Sequence, residues 1–386
     1  MNKIVADYQI HFANWFGTGT AFAFWKGRVA LYAILRALGI KAGDEVILSG
    51  YTCVMNVNPI KYLGARPIYI DIEPNTFNIN VDLIEDKITE KTKAIIAQHT
   101  YGYVCDMDKI IGIARKHSIP VIEDCCLSLG STYKNELAGT FGKAAYFSFQ
   151  WNKPFTTGVG GMAITNNDIL AEKIEKICQS DLIQPHLKET LMLFAQLVVH
   201  RTFIYPRTTA MAQAFFRYLT NRGIVVGSSS PDEFEPVMKE DFFKAMSNVQ
   251  AKSGIRQLKR IDKNIEHRRK LASFYDSLLS KAGWPARKFD REIMNPVMVR
   301  YPVRIKEKDR AIKEASSIGI ELGSWFECPL HPIETPLEKY DYKSGDCPQA
   351  EKASREVVNL PLHPRTGKGT VQRTVKFITR FTPVVI

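Results

Sequence analysis

Residues 121–165 read VIEDCCLSLGSTYKNELAGTFGKAAYFSFQWNKPFTTGVGGMAIT. The stretch opens on an apolar pair, Val121-Ile122, that runs into two carboxylates, Glu123 and Asp124. A linker leads to a second β-like run, Ala144 to Phe149, and Lys153 follows shortly, with small and flexible residues from Thr156 to Gly161. In an open α/β sheet, ligands collect outside the carboxyl ends of the strands, so an acid ending one strand and a lysine past another can face one cleft. That pair suits an aldehyde cofactor, with the lysine as Schiff-base partner and the acid against a pyridinium nitrogen. An acid held there keeps the ring protonated, so that it accepts electrons from a substrate carbanion. Taken alone, the two residues are better explained as a surface lysine beside a strand-end cap. The neighbouring pattern changes that balance.

IEDCCLSLGSTY, AGTFGKAAYFSF and NKPFTTGVGGMAITN, in this order and spacing, resemble the DegT/StrS-type sugar aminotransferases. These are pyridoxal-phosphate enzymes of the aspartate-aminotransferase fold, fold type I. The resemblance runs from Lys26 to Ile378 and is broken near residues 180–240. It implies an α/β protein whose large domain, residues 1–245, has a mostly parallel central sheet. A basic, apolar helical insert stands at about 180–235, and residues 246–386 form a long linking helix and a smaller C-terminal α/β domain. It further implies an active site at a homodimer interface, with Lys153 holding the cofactor, Asp124 at its ring nitrogen and Ser148 at its phosphate.

A chain of 386 residues with 45% apolar content can bury a large core and suggests two domains. No apolar leader follows Met1 and no run of about 18 apolar residues exists, so neither a signal peptide nor a membrane span is expected. Seven cysteines without framework spacing point to reduced thiols in a cytoplasmic protein. Cys125 and Cys126 are adjacent and belong to no CxxC pair, so no metal site is expected. The net charge of +12 fits phosphorylated ligands or a solvated basic surface. Zinc-finger spacing, an RNP-like motif and basic runs with interleaved aromatics are all missing, so no nucleic-acid partner is expected.

Residues 1–25 are aromatic-rich and show no clear periodicity. From Gly27, GRVALYAILRALGIKAGDEVIL reads as a helix and then a strand. Gly27, Arg28 and Val29 would open that helix, where free N–H groups attract a phosphate. The family carries Ser-Gly-Thr here; this chain has Lys26-Gly27-Arg28, which keeps the backbone role and offers Arg28 as added charge or as a solvated arginine. The family's aromatic residue on the pyridine ring is replaced by Cys53, a small group able to pack there. Its Gln or His beside the cofactor's phenolic oxygen is replaced by Leu127. Lys93 to Gln98 reads as a strand ending in HTYG, Asp106 to Lys116 as a helix, and Ile119 to Ile122 as the strand that delivers Asp124.

Between His186 and Gly223 five basic residues (Lys188, Arg201, Arg207, Arg217, Arg222) stand against one acid, Glu189, around two apolar helical runs, 191–199 and 210–219, split by Pro206. Core or dimer packing is the favoured reading of this hairpin; an acidic membrane surface, the inner one for a cytoplasmic protein, is the other. A loop is expected at 227–231. Lys244 stands near where the family often places an arginine that reaches the partner's phosphate. MSNVQAKSGIRQLKRIDKNIEHRRKLASFYDSLL reads as one long helix, Val297 to Arg304 as a strand, Asp309 to Ser317 as a helix and Ile320 to Trp325 as a strand. WFECPLHPI, with Trp325 and His331, resembles the family's substrate loop, in which His331 could contact a sugar or its phosphates; a structural loop histidine is the slightly better reading of His331 alone.

The resemblance therefore implies transfer of an amino group from an amino acid, glutamate, to a nucleotide-linked keto sugar, for a surface polysaccharide or glycan. Two other readings stand beside it. Some relatives are sugar dehydratases, typically with histidine in place of the lysine, and Lys153 favours transfer. A binding or regulatory protein that kept the fold without the chemistry is suggested by Cys53 and Leu127, and opposed by Asp124, Ser148 and Lys153.

Overall fold

A computed structural model describes residues 2–17, 19–151, 153–203 and 231–385. Seven strands form the central sheet: β1 (Thr20–Phe24), β2 (Glu45–Ser49), β4 (Arg66–Ile70), β5 (Thr92–Gln98), β6 (Val121–Asp124), β9 (Ala144–Ser148) and β10 (Gly161–Thr165), in the order β1-β10-β9-β6-β5-β2-β4. The five strands β9, β6, β5, β2 and β4 run parallel, and β10 and β1 close one edge antiparallel. Strands buried on both faces read as continuous apolar runs, which is why Val46-Ile47-Leu48 and Ala94 to Ala97 show no alternation.

Helices α2 (Gly27–Ala37), α3 (Val54–Tyr62) and α4 (Met107–Lys116) connect the strands, and α5 (Asp168–Asp181) leads out of the sheet after β10. The Asp106 side chain caps α4 by accepting from the Lys109 amide, and Asn167 caps α5 by accepting from Leu170. The N-terminal segment, unassigned by periodicity, is helix α1 (Lys3–Phe16), capped by Asn2 at one end and ended by Gly17 at φ 67°. Its Tyr8, Phe12 and Phe16 recur every four residues and pack on Phe147, Phe149 and Phe155 beside the sheet. Helix α6 spans Leu187–Phe203, as the apolar run there suggests. The expected helix at 210–219, its Pro206 break and the loop at 227–230 lie outside the described residues.

Two expectations for the C-terminal part are corrected. The single long helix is two, Asn248–Leu258 and Ile261–Lys281. The first packs on α1 and the second on the helix Lys368–Ile378, so the chain turns at Lys259-Arg260 to serve two surfaces. Ile320 to Trp325 is not a strand: one bridge joins Gly323 to Asn359, and the Asn359 side chain then takes the Trp325 amide (2.9 Å) in place of a ladder partner. The expected strand from Val297 is shorter, β12 (Tyr301–Arg304), and pairs antiparallel with β14 (Val357–Leu360). Small pieces complete the sheets: β7 (Thr132–Tyr133) pairs with β8 (Glu136–Leu137) and with β11 (Met294–Asn295), and β3 (Thr52–Cys53) pairs parallel with β13 (Leu330–His331). That last pair ties the loop after β2 to a loop 278 residues further on and places His331 opposite Cys53. Among the described residues no helix is long and apolar enough to cross a membrane, and all seven cysteines are free.

Candidate active site

The parallel strands end side by side. In register, Gln98 of β5 stands beside Asp124 of β6, and Asp124 beside Tyr146 of β9. Ser148 ends β9, and the chain then loops through Lys153 before returning as β10. Asp124 and Lys153, separated by a linker and a strand in sequence, therefore meet at one sheet edge.

Asp124 is 2% exposed, and its two oxygens are held from different sides. Oδ1 accepts the Cys126 amide (2.9 Å), and Oδ2 accepts the side-chain amide of Asn56 (2.6 Å). The same Asn56 nitrogen also reaches Thr52 Oγ1 (3.0 Å) and Gln98 Oε1 (3.2 Å), while Gln98 Nε2 donates to the Tyr51 carbonyl (2.8 Å). Sequence reasoning overlooked Asn56 and Gln98. The available signal was the polar pair Thr52 and Asn56, one in β3 just before α3 and the other in the first turn of α3, where the chain crosses a strand end.

Lys153 is buried, with Nζ 4.8 Å from the centroid of the Trp325 ring. Burial pulls its amine below the ordinary lysine range, while Cys126, Asp124 and Cys53 pull the other way and Arg300 adds to the lowering. The loop that carries it is fixed from behind: Asn264 Nδ2 donates to the Pro154 carbonyl (2.5 Å), and Ser253 and Gln257 both donate to the Thr156 carbonyl (3.3 Å each). Gln250 spans the carbonyls of Trp25 (3.1 Å) and Val159 (2.8 Å), joining the start of α2 to the glycines before β10.

Gly27 opens α2 directly over the end of β9. A Cβ there would lie 2.8 Å from Ser148 Cβ, and one on Gly161 would lie 2.4 Å from the Lys26 carbonyl oxygen. Glycine at both positions thus lets the start of α2 close onto the ends of β9 and β10, which leaves a cradle of first-turn amides beside Ser148 suited to a phosphate. Two expectations need adjustment. The Val29 amide is turned back onto the Lys26 carbonyl (3.1 Å) and its side chain is core, which leaves Gly27 and Arg28 as the amides at the open end. The Arg28 guanidinium does not stand alone, since Glu233 pairs with it (2.8 Å) and with Lys26 (2.9 Å), so the basic charge here is shared with a carboxylate.

Cys53 is half-buried beside Asp124, Lys153 and Arg28, and burial raises its thiol, so it is a packing group and not a nucleophile. Leu127 is core at 4% exposure and offers the cleft no polar atom, as its side chain dictates. Trp325 stands beside Lys153, and His331 beside Trp325. The indole Nε1 donates to His331 Nε2 (3.2 Å), which puts the imidazole proton on Nδ1, facing Glu327 Oε1 at 3.2 Å. The turn at Trp325-Phe326 is held by Tyr51 and Tyr101: Tyr101 donates to the Trp325 carbonyl, and both hydroxyls accept the Phe326 amide (3.2 and 3.0 Å). Lys244 is committed inside its own chain, to Glu189 (2.7 Å) and Asp241 (2.8 Å), and so is not free to reach a partner's phosphate.

His99, Glu123 and Cys125 bring ligand-type atoms within 4.8 Å of one another, all buried. Glu123 already accepts the amides of Gly139, Phe141 and Gly142 (2.7 Å each) and faces His99 Nε2 (3.0 Å). His99 Nδ1 accepts the Cys105 amide (3.1 Å), so Nε2 carries the proton, and burial raises the Cys125 thiol. This trio is a saturated structural network, with its donors and acceptors matched.

A buried lysine of lowered basicity, an anchored carboxylate one strand away and a phosphate cradle of helix-start amides are the fittings of a fold-type-I pyridoxal-phosphate enzyme, and the residues present fit that cofactor. The sequence matches the DegT/DnrJ/EryC1/StrS aminotransferase family over residues 2–190 and 215–379, and the chain belongs to that family. It is 30% identical to the GDP-perosamine synthase of Caulobacter vibrioides over 381 residues, covering 97% of this chain and 89% of that protein. It is 31% identical to the GDP-perosamine synthase of Escherichia coli O157:H7 over 382 residues, covering 98% and 88%. Among solved structures, the aminotransferase from Psychrobacter cryohalolentis superposes with a TM-score of 0.75 at 25% identity, covering 98% of this chain and 90% of that one. The protein is thus a pyridoxal-phosphate-dependent sugar aminotransferase by family.

Proposed function

We propose that this enzyme transfers the amino group of an amino acid, glutamate, to a keto sugar carried on a nucleotide, within the synthesis of a surface polysaccharide or glycan. The observation that carries this reading is the meeting of Lys153 and Asp124 in one buried cleft roofed by Trp325. The family match and the relatives named GDP-perosamine synthase support a sugar nucleotide as acceptor.

When bound, pyridoxal phosphate supplies the electron sink and carries the amino group between the two substrates. Asp124, fixed by Asn56 and the Cys126 amide, holds its carboxylate toward the ring nitrogen. Gly27, Arg28 and Ser148 bind the phosphate in the cradle described above. Lys153 holds the cofactor between turnovers. As a free amine, its Nζ would be the base that takes the proton from the donor's α-carbon and gives it back two atoms along, a 1,3-shift; the burial that lowers its basicity raises the share of free amine able to do so at neutral pH. Trp325 confines that amine to one face, and His331, held by Trp325 and Glu327, offers its ring to the sugar. A homodimer would close the cleft.

The test is a two-stage reaction with purified protein, pyridoxal phosphate and glutamate, followed by a nucleotide-linked 4-keto-6-deoxy sugar. Loss of the cofactor's visible band on adding glutamate, its return on adding the sugar, and an amino sugar of matching mass are expected, with Lys153→Ala inactive in both stages. A band indifferent to glutamate and to other amino acids would sink the proposal.

A further inference from the structure

Helix α6 is apolar on two adjoining faces. Leu193 and Leu197 are buried against Trp25 and Val159, and Leu193 backs Gly158 in the loop that carries Lys153. On the adjoining face Leu187, Leu191, Phe194 and Val198 recur at helical spacing with exposures of 73, 57, 55 and 43%. The packing expected from sequence thus accounts for one face and, among the described residues, leaves a stripe of large side chains exposed, where a surface helix normally turns such residues inward.

Cations border the stripe. Lys188 and Arg201 are exposed on α6, and Arg201 reaches Ser253 (2.8 Å) on the adjoining helix, bringing it near the exposed Arg256. Among the described residues no carboxylate lies within ion-pair distance of Lys188, Arg201 or Arg256, and the one acid of α6, Glu189, is taken by Lys244. A second copy docked through this patch would have to complement itself, setting these cations against one another. An anionic sheet complements them all at once. Residues 191–214, which carry three of the four stripe side chains, fall outside the family match.

We infer that α6 is an interfacial helix that seats the enzyme on an anionic phospholipid bilayer. The four apolar side chains enter the headgroup–acyl boundary and Lys188, Arg201 and Arg256 lie at the phosphates.

The experiment is flotation of the full-length, cofactor-loaded protein with vesicles containing phosphatidylglycerol and with vesicles of phosphatidylcholine alone. Binding is expected on the first only and should weaken as salt is raised. Leu191→Ser with Phe194→Ser should reduce it at least about tenfold, and Arg201→Gln about fivefold. The double variant should keep the wild-type circular dichroism and visible cofactor band, which separates lost docking from lost fold. No flotation on either vesicle, or equal flotation on both, overturns the inference. So does a change from dimer to monomer in the double variant by analytical ultracentrifugation, which would make the stripe a contact between copies.

Discussion

Asn56 is the most informative residue to remove, because no family pattern pointed to it and the carboxylate that depends on it is almost fully buried. In Asn56→Ala, Asp124 Oδ2 loses a 2.6 Å donor and gains no water, since the carboxylate is 2% exposed. Thr52 and Gln98 still satisfy one another, so the loss falls on Asp124 alone. A hydrogen bond to a charged group is worth about 1.5–3 kcal/mol. If the bond's role is to hold the carboxylate at the cofactor's ring nitrogen, the affinity for pyridoxal phosphate falls by about 10- to 150-fold, the same energy divided by RT. Titration of the apo-protein with pyridoxal phosphate, followed in the visible, measures that constant; urea unfolding of the same apo-protein measures any general cost. Asn56→Asp, of equal size, sets one carboxylate against another and should bind more weakly still. The reasoning is refuted if Asn56→Ala binds the cofactor within about twofold of wild type while losing stability, because the amide would then serve only the fold.

Four further outcomes follow from the same geometry. The uncharged amine of Lys153 is the form that captures an aldehyde, so cofactor incorporation into apo-protein should rise with pH through a midpoint below that of an ordinary lysine. Asp124 holds that amine up, so stopped-flow measurements on Asp124→Asn should show the midpoint move lower still, and a rise would contradict the assignment. Gly161→Ala pushes a methyl group against backbone 2.4 Å away, and by the usual penalty for overpacking should cost about 1–3 kcal/mol in urea unfolding; cofactor release by dialysis should quicken with it. Glu123→Gln replaces an oxygen that accepts backbone amides with an NH₂, leaving buried donors facing a donor, and should lower stability by about 2–4 kcal/mol without altering the visible spectrum at low temperature.

How much of this was legible in the chain depends on the range of the interactions. The parallel strands and the helix opening at Gly27 announce themselves locally, through apolar runs that end in a polar residue and through glycines where backbones touch, whereas Asp124, Ser148 and Lys153 are legible only through the family pattern that their order and spacing resemble. Helix α1 could have been read from Tyr8, Phe12 and Phe16 at intervals of four, but an aromatic lead-in without acidic or basic alternation hides its period. The break at Lys259-Arg260 could not, since its cause is that two halves of an otherwise helical stretch pack on elements at opposite ends of the chain. The loss of the expected strand at Ile320 is of the same kind, because its competitor is the side chain of Asn359.

The departures at Cys53 and Leu127 first suggested a site with its polar contacts removed. The three-dimensional arrangement shows a different distribution. Leu127 turns into the core, and the carboxylate is served from across the cleft by Asn56, one turn along the helix that Cys53 begins. Cys53 in turn gives its backbone to β13, and that pairing sets His331 beside the site with the Trp325 indole as its donor. Small, apolar residues in the expected places are therefore compatible with a working cleft, because the neighbouring turn and the distant loop supply the order that a polar side chain at those positions would have supplied. A chain that had abandoned the chemistry would have no reason to keep Asp124 doubly held, or Lys153 buried under an aromatic ring at the expense of its charge.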